Sequence, residues 1–335
     1  MMGSGLARYR ATAVVLLGAS GVSHCLAQPS GPDISQPTTC SAVAAPERAY
    51  SLRLTSFAPR PTQASGVLLD GRIDGGPPLH LLLDSGASHI TLDARASARS
   101  AISAVSESHL VGAGESPVRS VRSGIAGAVQ VGPLQFRNCL VDMAPGGLAE
   151  GIDGVIPLSL FDRFLIRLDL PGRTLDLMPY PDREAVQTAG FERAILRGGL
   201  LFLRGVLNNA LEGYILLDTG ASYSAVSRPA ARVLKKSTGP VIGLQGANGV
   251  VSGDLLAAGA RFDFAGRSLA AETVVALDLA ALSALHRVEA IGVLGYPALR
   301  ASILTVSYRD GLVRIDSRLH GETPALVADK KAGAR

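Results

Sequence analysis

Apolar residues fall along this chain in short runs, broken by Gly, Pro, Asn and Asp, rather than at helical spacing. Runs of about four to eight residues between such breakers read as strands. Leu81-Leu82-Leu83 ends in Asp84, and Ile215-Leu216-Leu217 ends in Asp218. Gly71 and Gly205 each lie 13 positions before their Asp. Both intervals read as strand, polar turn, strand, with turns at Asp74-Gly75-Gly76-Pro77 and at Asn208-Asn209. Helical character is confined to short Ala/Arg-rich segments, one running through Arg99 and one from Pro229, where proline suits the first turn. The pattern predicts a mainly β chain rich in turns.

The same pattern occurs twice. Residues 81–88 read LLLDSGAS and residues 215–222 read ILLDTGAS, identical at six of eight positions. Glycine-bearing turns follow at Gly112-Ala113-Gly114 and from Gly243 to Gly249. Gly154-Val155-Ile156 begins 70 residues after Asp84, and Gly292-Val293-Leu294 begins 74 after Asp218. Each copy closes on a strand-turn-strand signal, around Pro171-Gly172 and Asp310-Gly311. The expected organisation is an N-terminal extension over 28–63, a first unit over 64–180, a linker over 181–195, a second unit over 196–318 and a tail over 319–335. Residues 28–50 and 319–335 lack strand periodicity and read as loosely held ends. Two copies are too few for a solenoid and fit a fused dimer.

Composition narrows the class. With 47% hydrophobic and 18% charged residues the chain can fill a core. A net charge of +4 with scattered Arg offers no basic stripe for nucleic acid. At the N-terminus, Arg8 and Arg10 precede the 12-residue apolar run Ala11 to Val22. That run is short of the roughly 20 residues a membrane span needs. It reads as an export signal over residues 1–27, cut after Ala27. His24 before Cys25 argues against a lipoprotein signal. The expectation is an exported protein, periplasmic or secreted, with no transmembrane segment after signal removal. Cys40 and Cys139 would then be the remaining thiols, and export permits a disulfide between them. The sequence leaves that pairing and two unpaired cysteines equally open.

The repeated motif carries the chemistry. An apolar strand ending in Asp delivers a carboxylate to its tip, and Gly86 or Gly220 permits a tight turn with close backbone approach. Ala87, Ser88, Ala221 and Ser222 are small enough for two such turns to pack together, and Ser85 and Thr219 offer hydroxyls to tie them. One Asp-Ser-Gly is an ordinary turn; two in register are a site. Across a twofold axis Asp84 and Asp218 would share one proton, giving an acid and a base in one place.

These motifs resemble those of the retropepsin-like aspartic peptidases, particularly bacterial single-chain forms with two units, over roughly residues 64–316. The resemblance implies two homologous β-barrel lobes in a pseudo-twofold bilobal structure with a cleft between them. It implies catalytic Asp84 and Asp218, a peptide or protein substrate, no cofactor or metal, and a monomer forming an intramolecular pseudo-dimer. Gly112, Gly114, Gly246 and Gly249 would belong to flaps over the cleft. Ala87 and Ala221 supply no hydroxyl to the dyad, which implies a mildly acidic optimum. Pro157 stands where the family usually has Gly, as the second copy has at Gly295, and lacks an N–H.

No His-Glu-x-x-His, Cys-x-x-Cys, complete dinucleotide fingerprint or Gly-x-Ser-x-Gly elbow occurs. His89, beside the first motif, offers a pocket residue, but an exposed or satisfied structural histidine is the favoured reading. The rival function is a peptide-binding module of the same bilobal fold that does not cut, toward which Pro157 leans. A further alternative pairs each lobe with one from another chain.

Overall fold

The computed structural model describes residues 14–15, 19–21, 40, 48–58, 66–100, 102, 104–111, 118–144, 148–183, 188–234, 238–246, 249–256, 258–264 and 267–317. Among them strands dominate. Gly66–Ile73 turns back antiparallel into Leu79–Asp84. The turn holds Asp74 and Gly75 at positive φ, and the Asp74 carboxylate accepts from the Gly127 and Ala128 N–H groups of the long strand Val118–Val131. Leu200–Leu207 turns into Leu211–Asp218 through Asn208 and Asn209, both at positive φ. There Asn208 Oδ1 accepts from the Arg261 N–H. Asn and Asp tolerate the left-handed region these turns require.

Beyond each aspartate come a short strand and a capped helix. Ile90–Leu92 leads to Ala94–Arg99, where the Asp93 side chain accepts from the Ala96 N–H. Ser224–Ser227 leads to Arg228–Val233, where Ser227 accepts from the Ala230 N–H. Each cap satisfies an otherwise orphan helical donor. Gly154–Pro157 then runs parallel to Leu79–Asp84 and antiparallel to Ile90–Leu92. Ala290–Gly295 takes the corresponding place between Leu211–Asp218 and Ser224–Ser227. Two hairpins stand out from these sheets, Ala104–Val111 with Val118–Val131 and Thr238–Gly246 with Gly249–Leu256.

The closing hairpins, Leu165–Asp169 with Thr174–Met178 and Ser302–Ser307 with Leu312–Ser317, pair with each other edge to edge. Glu192–Arg197 and Tyr50–Arg53 flank them, so six strands from both halves form one continuous run. Buried Leu81, Leu83 and Ile156 share one apolar cluster with Leu217, Leu294 and Val226. Side chains on the opposite face of the same strands form two separate clusters. One holds Leu82, Ala87 and Val155, and the other Leu216, Ala221 and Val293. The alternation follows from the two-residue period of a strand.

Two boundaries differ from the sequence reading. Within 28–63, Tyr50–Arg53 and Thr55–Phe57 are strands whose neighbours Leu52, Leu54 and Phe57 are buried. Alternation there is real but confined to about one strand's length, too short to stand out. Within 181–195, the strand Glu192–Arg197 starts inside the expected linker. It is paired on one side with Leu200–Leu207 and on the other with Leu312–Ser317, and its side chains, half-buried or exposed, tolerate the charges that mask it. Val14–Val15 and Ala19–Gly21, inside the run read as an export signal, pair with Gln245–Gly246 and with His109–Val111 of the two hairpins. Cys40 and Cys139 form a disulfide that ties the chain ahead of Tyr50–Arg53 to Leu134–Met143. No helix among the described residues is long and apolar enough to cross a membrane.

Candidate active site

The two Asp-containing turns meet in the interior. Asp84, Asp218 and Thr219 are fully buried, and Ser85 is nearly so. The Ser85 N–H donates to Thr219 Oγ1 (3.0 Å) and the Thr219 N–H donates to Ser85 Oγ (3.1 Å). Each hydroxyl donates onward across the junction, Ser85 to the Leu217 carbonyl (2.9 Å) and Thr219 to the Leu83 carbonyl (2.8 Å). Four reciprocal bonds thus join strands 134 residues apart in sequence. Buried and fully paired, such a network fixes one geometry.

The glycines make the approach possible. A Cβ on Gly86 would lie 2.5 Å from Asp218 Cγ, and one on Gly220 would overlap the Asp84 carboxyl in the same way. Asp84 Oδ1 accepts from the Gly86 N–H (2.6 Å), while Asp218 Oδ1 accepts from the Gly220 and Ala221 N–H groups (both 2.9 Å). The two Oδ2 atoms take no backbone donor, and each carboxyl lies against the glycine of the other turn.

Burial is the main reason both carboxyls are pushed above the ordinary carboxylate range. For Asp84 the charge of Asp218 and their mutual hydrogen bond add to it, against the Gly86 and Ala87 N–H groups. Asp218 is pushed up to about 7, against the hydrogen bonds from Asp84, Gly220 and Ala221. Both shifts favour the protonated carboxyl, the direction that burial imposes on an acid.

Ala87, Ala221, Ser88 and Ser222 are all buried around the turns, as close packing of two small-residue turns requires. Gly246 and Gly249 pair across the tip of their hairpin. Gly112 and Gly114 lie outside the described residues. Among the described residues no group of three or more His, Cys, Asp and Glu side chains is placed to hold a metal.

Pro157 proves locally accommodated. It pairs in register with Asp84, as Gly295 does with Asp218. The Gly295 N–H donates to Ser224 Oγ (3.0 Å). Proline has no such donor, and at the place corresponding to Ser224 the first half has Ile90, which has no acceptor. The donor and its acceptor are missing together, so neither is orphaned. Gly295 itself could not be replaced the same way, because a Cβ there would collide with the Tyr223 and Ala221 carbonyls.

His89 falls within the structural reading made from the sequence. It is buried, with Nδ1 3.6 Å from Asp142 Oδ2. Asp142 is fully buried in Leu134–Met143, and its Oδ1 accepts from Ser123 Oγ at 2.5 Å. The signal for this group was the lone acid in the apolar run Cys139-Leu140-Val141-Asp142-Met143, which demanded a partner.

No curated protein matches the chain. Residues 69–160, which carry Asp84 with its turn and the Gly154–Pro157 strand, match the aspartyl protease family model, a match that supports kinship of this stretch with the retropepsin-like proteases.

Proposed function

We propose that this chain is an aspartic endopeptidase whose dyad is Asp84 and Asp218, built from two related lobes in one chain about a pseudo-twofold axis. The observation that supports the reading is the reciprocal bonding of Ser85 and Thr219, which joins the two turns carrying the fully buried Asp84 and Asp218. A peptide between the lobes would present its carbonyl to this pair. The ionised carboxylate removes a proton from water as the water oxygen attacks the carbonyl carbon, and the protonated partner donates to the carbonyl oxygen. The tetrahedral diol then collapses as the amide nitrogen accepts a proton and the C–N bond breaks. Ala87 and Ala221 supply no hydroxyl to the ionised pair, so the reading expects a mildly acidic optimum rather than a strongly acidic one.

Export to the periplasm or outside the cell is part of the proposal, on the strength of the basic, apolar N-terminus and the Cys40–Cys139 disulfide. The test is peptide cleavage by the purified chain across about pH 3–8, beside Asp84→Asn and Asp218→Asn. Cleavage abolished by both substitutions supports the reading. An inactive parent that still binds extended peptides would replace it with a binding module, and an optimum near pH 2–3 would refute the pH argument.

A further inference from the structure

The two hairpins that stand out from the sheets each present one outer edge. Thr238–Gly246 pairs inward with Gly249–Leu256, and Ala104–Val111 pairs inward with Val118–Val131. These are corresponding strands, the first of each hairpin. Their outer edges are met by one short stretch of the N-terminus and, among the described residues, by no other strand. Val14–Val15 runs parallel to Gln245–Gly246, and Ala19–Gly21 runs antiparallel to His109–Val111. Val15 and Ala19 are four positions apart, so the two short strands lie at most about 14 Å from each other. One extended segment meets two equivalent strands in opposite senses when it lies across a twofold axis that relates them.

The outer edge of a sheet carries N–H and C=O groups that any extended chain can pair with. Ala104–Val111 belongs to the sheet that holds Leu79–Asp84, and Thr238–Gly246 to the sheet that holds Leu211–Asp218. The N-terminal stretch therefore crosses from the sheet of one aspartate to the sheet of the other, the path a peptide lying between the lobes would take. It is also the stretch that the sequence marks for removal, since Val14 to Gly21 precede the expected cut after Ala27. A segment that is cut away cannot be what holds the mature fold together. Cys40 lies on the far side of that cut, so its bond to Cys139 keeps the chain after Ala27 attached while the segment before it leaves.

We infer that the segment containing Val14–Val15 and Ala19–Gly21 is autoinhibitory: it occupies the hairpin edges that an extended substrate needs, and the cut that releases the export signal also opens the site. The precursor is then inert where it is made and active only once processed. The occupant is the chain's own N-terminus, and it competes with substrate through backbone pairing. The inference rests on the peptidase reading and adds its regulation.

The test uses the full chain purified with residues 1–27 retained, beside the double variant Val15→Pro, Ser20→Pro, since proline cannot donate to a ladder. A tethered segment acts at an effective concentration of about millimolar order. Binding as well as a peptide substrate with a KM of about 0.1 mM, it would raise the parent's KM about tenfold and leave kcat unchanged. The double variant is expected to recover that factor, and a synthetic peptide of residues 11–22 to inhibit it competitively. Amide hydrogen exchange at residues 109–111 and 245–246 is expected to be faster in the variant than in the parent. Thermal unfolding checks that both proteins fold. A parent that cuts with the variant's KM overturns the inference and spares the peptidase. Where neither protein cuts, slower exchange at these amides in the parent sustains the covered edges and removes the peptidase, whereas equal exchange overturns both.

Discussion

Replacing Asp218 with Asn removes one of two buried acids, and the sign of its effect on stability follows from the dyad's environment. Burial pushes Asp218 up to about 7 from 3.8 and raises Asp84 as well. An acid whose pKa is higher folded than unfolded favours the folded state fully below about pH 4 and loses that advantage as pH rises toward 7. At 1.36 kcal/mol per unit, a shift of about three units is worth up to about 4 kcal/mol. Sharing of one proton by the pair lowers this to on the order of 2–4 kcal/mol. Asn has no proton to lose, so the variant should gain on the parent by that amount between about pH 4 and pH 7. Asp162, raised to about 6 by burial, acts with the same sign in the parent. His286, lowered to about 4 by burial and then by Arg197, acts with the opposite sign. Both groups are common to parent and variant and drop out of the difference. Denaturant unfolding of both proteins at about pH 4, 5.5 and 7 measures it directly. A difference constant to within about 0.5 kcal/mol would refute the idea that this carboxyl is held protonated by burial.

Other outcomes follow from the same contacts. Gly86→Ala or Gly220→Ala should abolish cleavage, since the added methyl occupies the space of the opposite carboxyl; activity within tenfold of the parent in a peptide assay would contradict the geometry. Thr219→Val keeps the shape but removes two of the four junction bonds, and should lower unfolding free energy by about 2–4 kcal/mol, while Thr219→Ser stays close to the parent. Ser224→Ala should cost about 1–3 kcal/mol by stranding the Gly295 N–H, whereas Pro157→Gly should bring no gain in activity. Reducing the Cys40–Cys139 bond, which spans 99 residues, should cost up to about 4–5 kcal/mol on the chain-entropy account, read as a fall in Tm with reductant.

Much of this was written locally. The Asp74-Gly75 and Asn208-Asn209 turns, the Pro229 helix start and the strands ending in Asp84 and Asp218 all follow from residue types that tolerate few other conformations. The meeting of the two turns was legible because the motif recurs with small residues in register. Strand Glu192–Arg197 was not, because none of its side chains is fully buried and so no apolar alternation is imposed on its charges. Nor was the partner of His89: Asp142 lies 53 positions away, and only the pairing of Ile90–Leu92 with Leu134–Met143 brings them together. Sequence could flag the lone acid but not name its neighbour.

Pro157 and His89 point to one physical consequence of carrying both halves in a single chain. In a symmetric dimer each substitution appears on both sides of the axis, so a change that suits one wall of the cleft is imposed on the other. Here the halves have parted at coupled positions. Ile90 with Pro157 faces Ser224 with Gly295, and His89, Asp142 and Ser123 face Tyr223, Val275 and Leu255. Each set is self-consistent: donor and acceptor are both present or both absent, and the carboxylate has its imidazole and hydroxyl while its counterpart has none of them. What has not parted is the junction itself, where Ser85 and Thr219 each need the other's hydroxyl. In both sets the divergent partners lie within one half, whereas the bonds that join the two turns require a hydroxyl from each half.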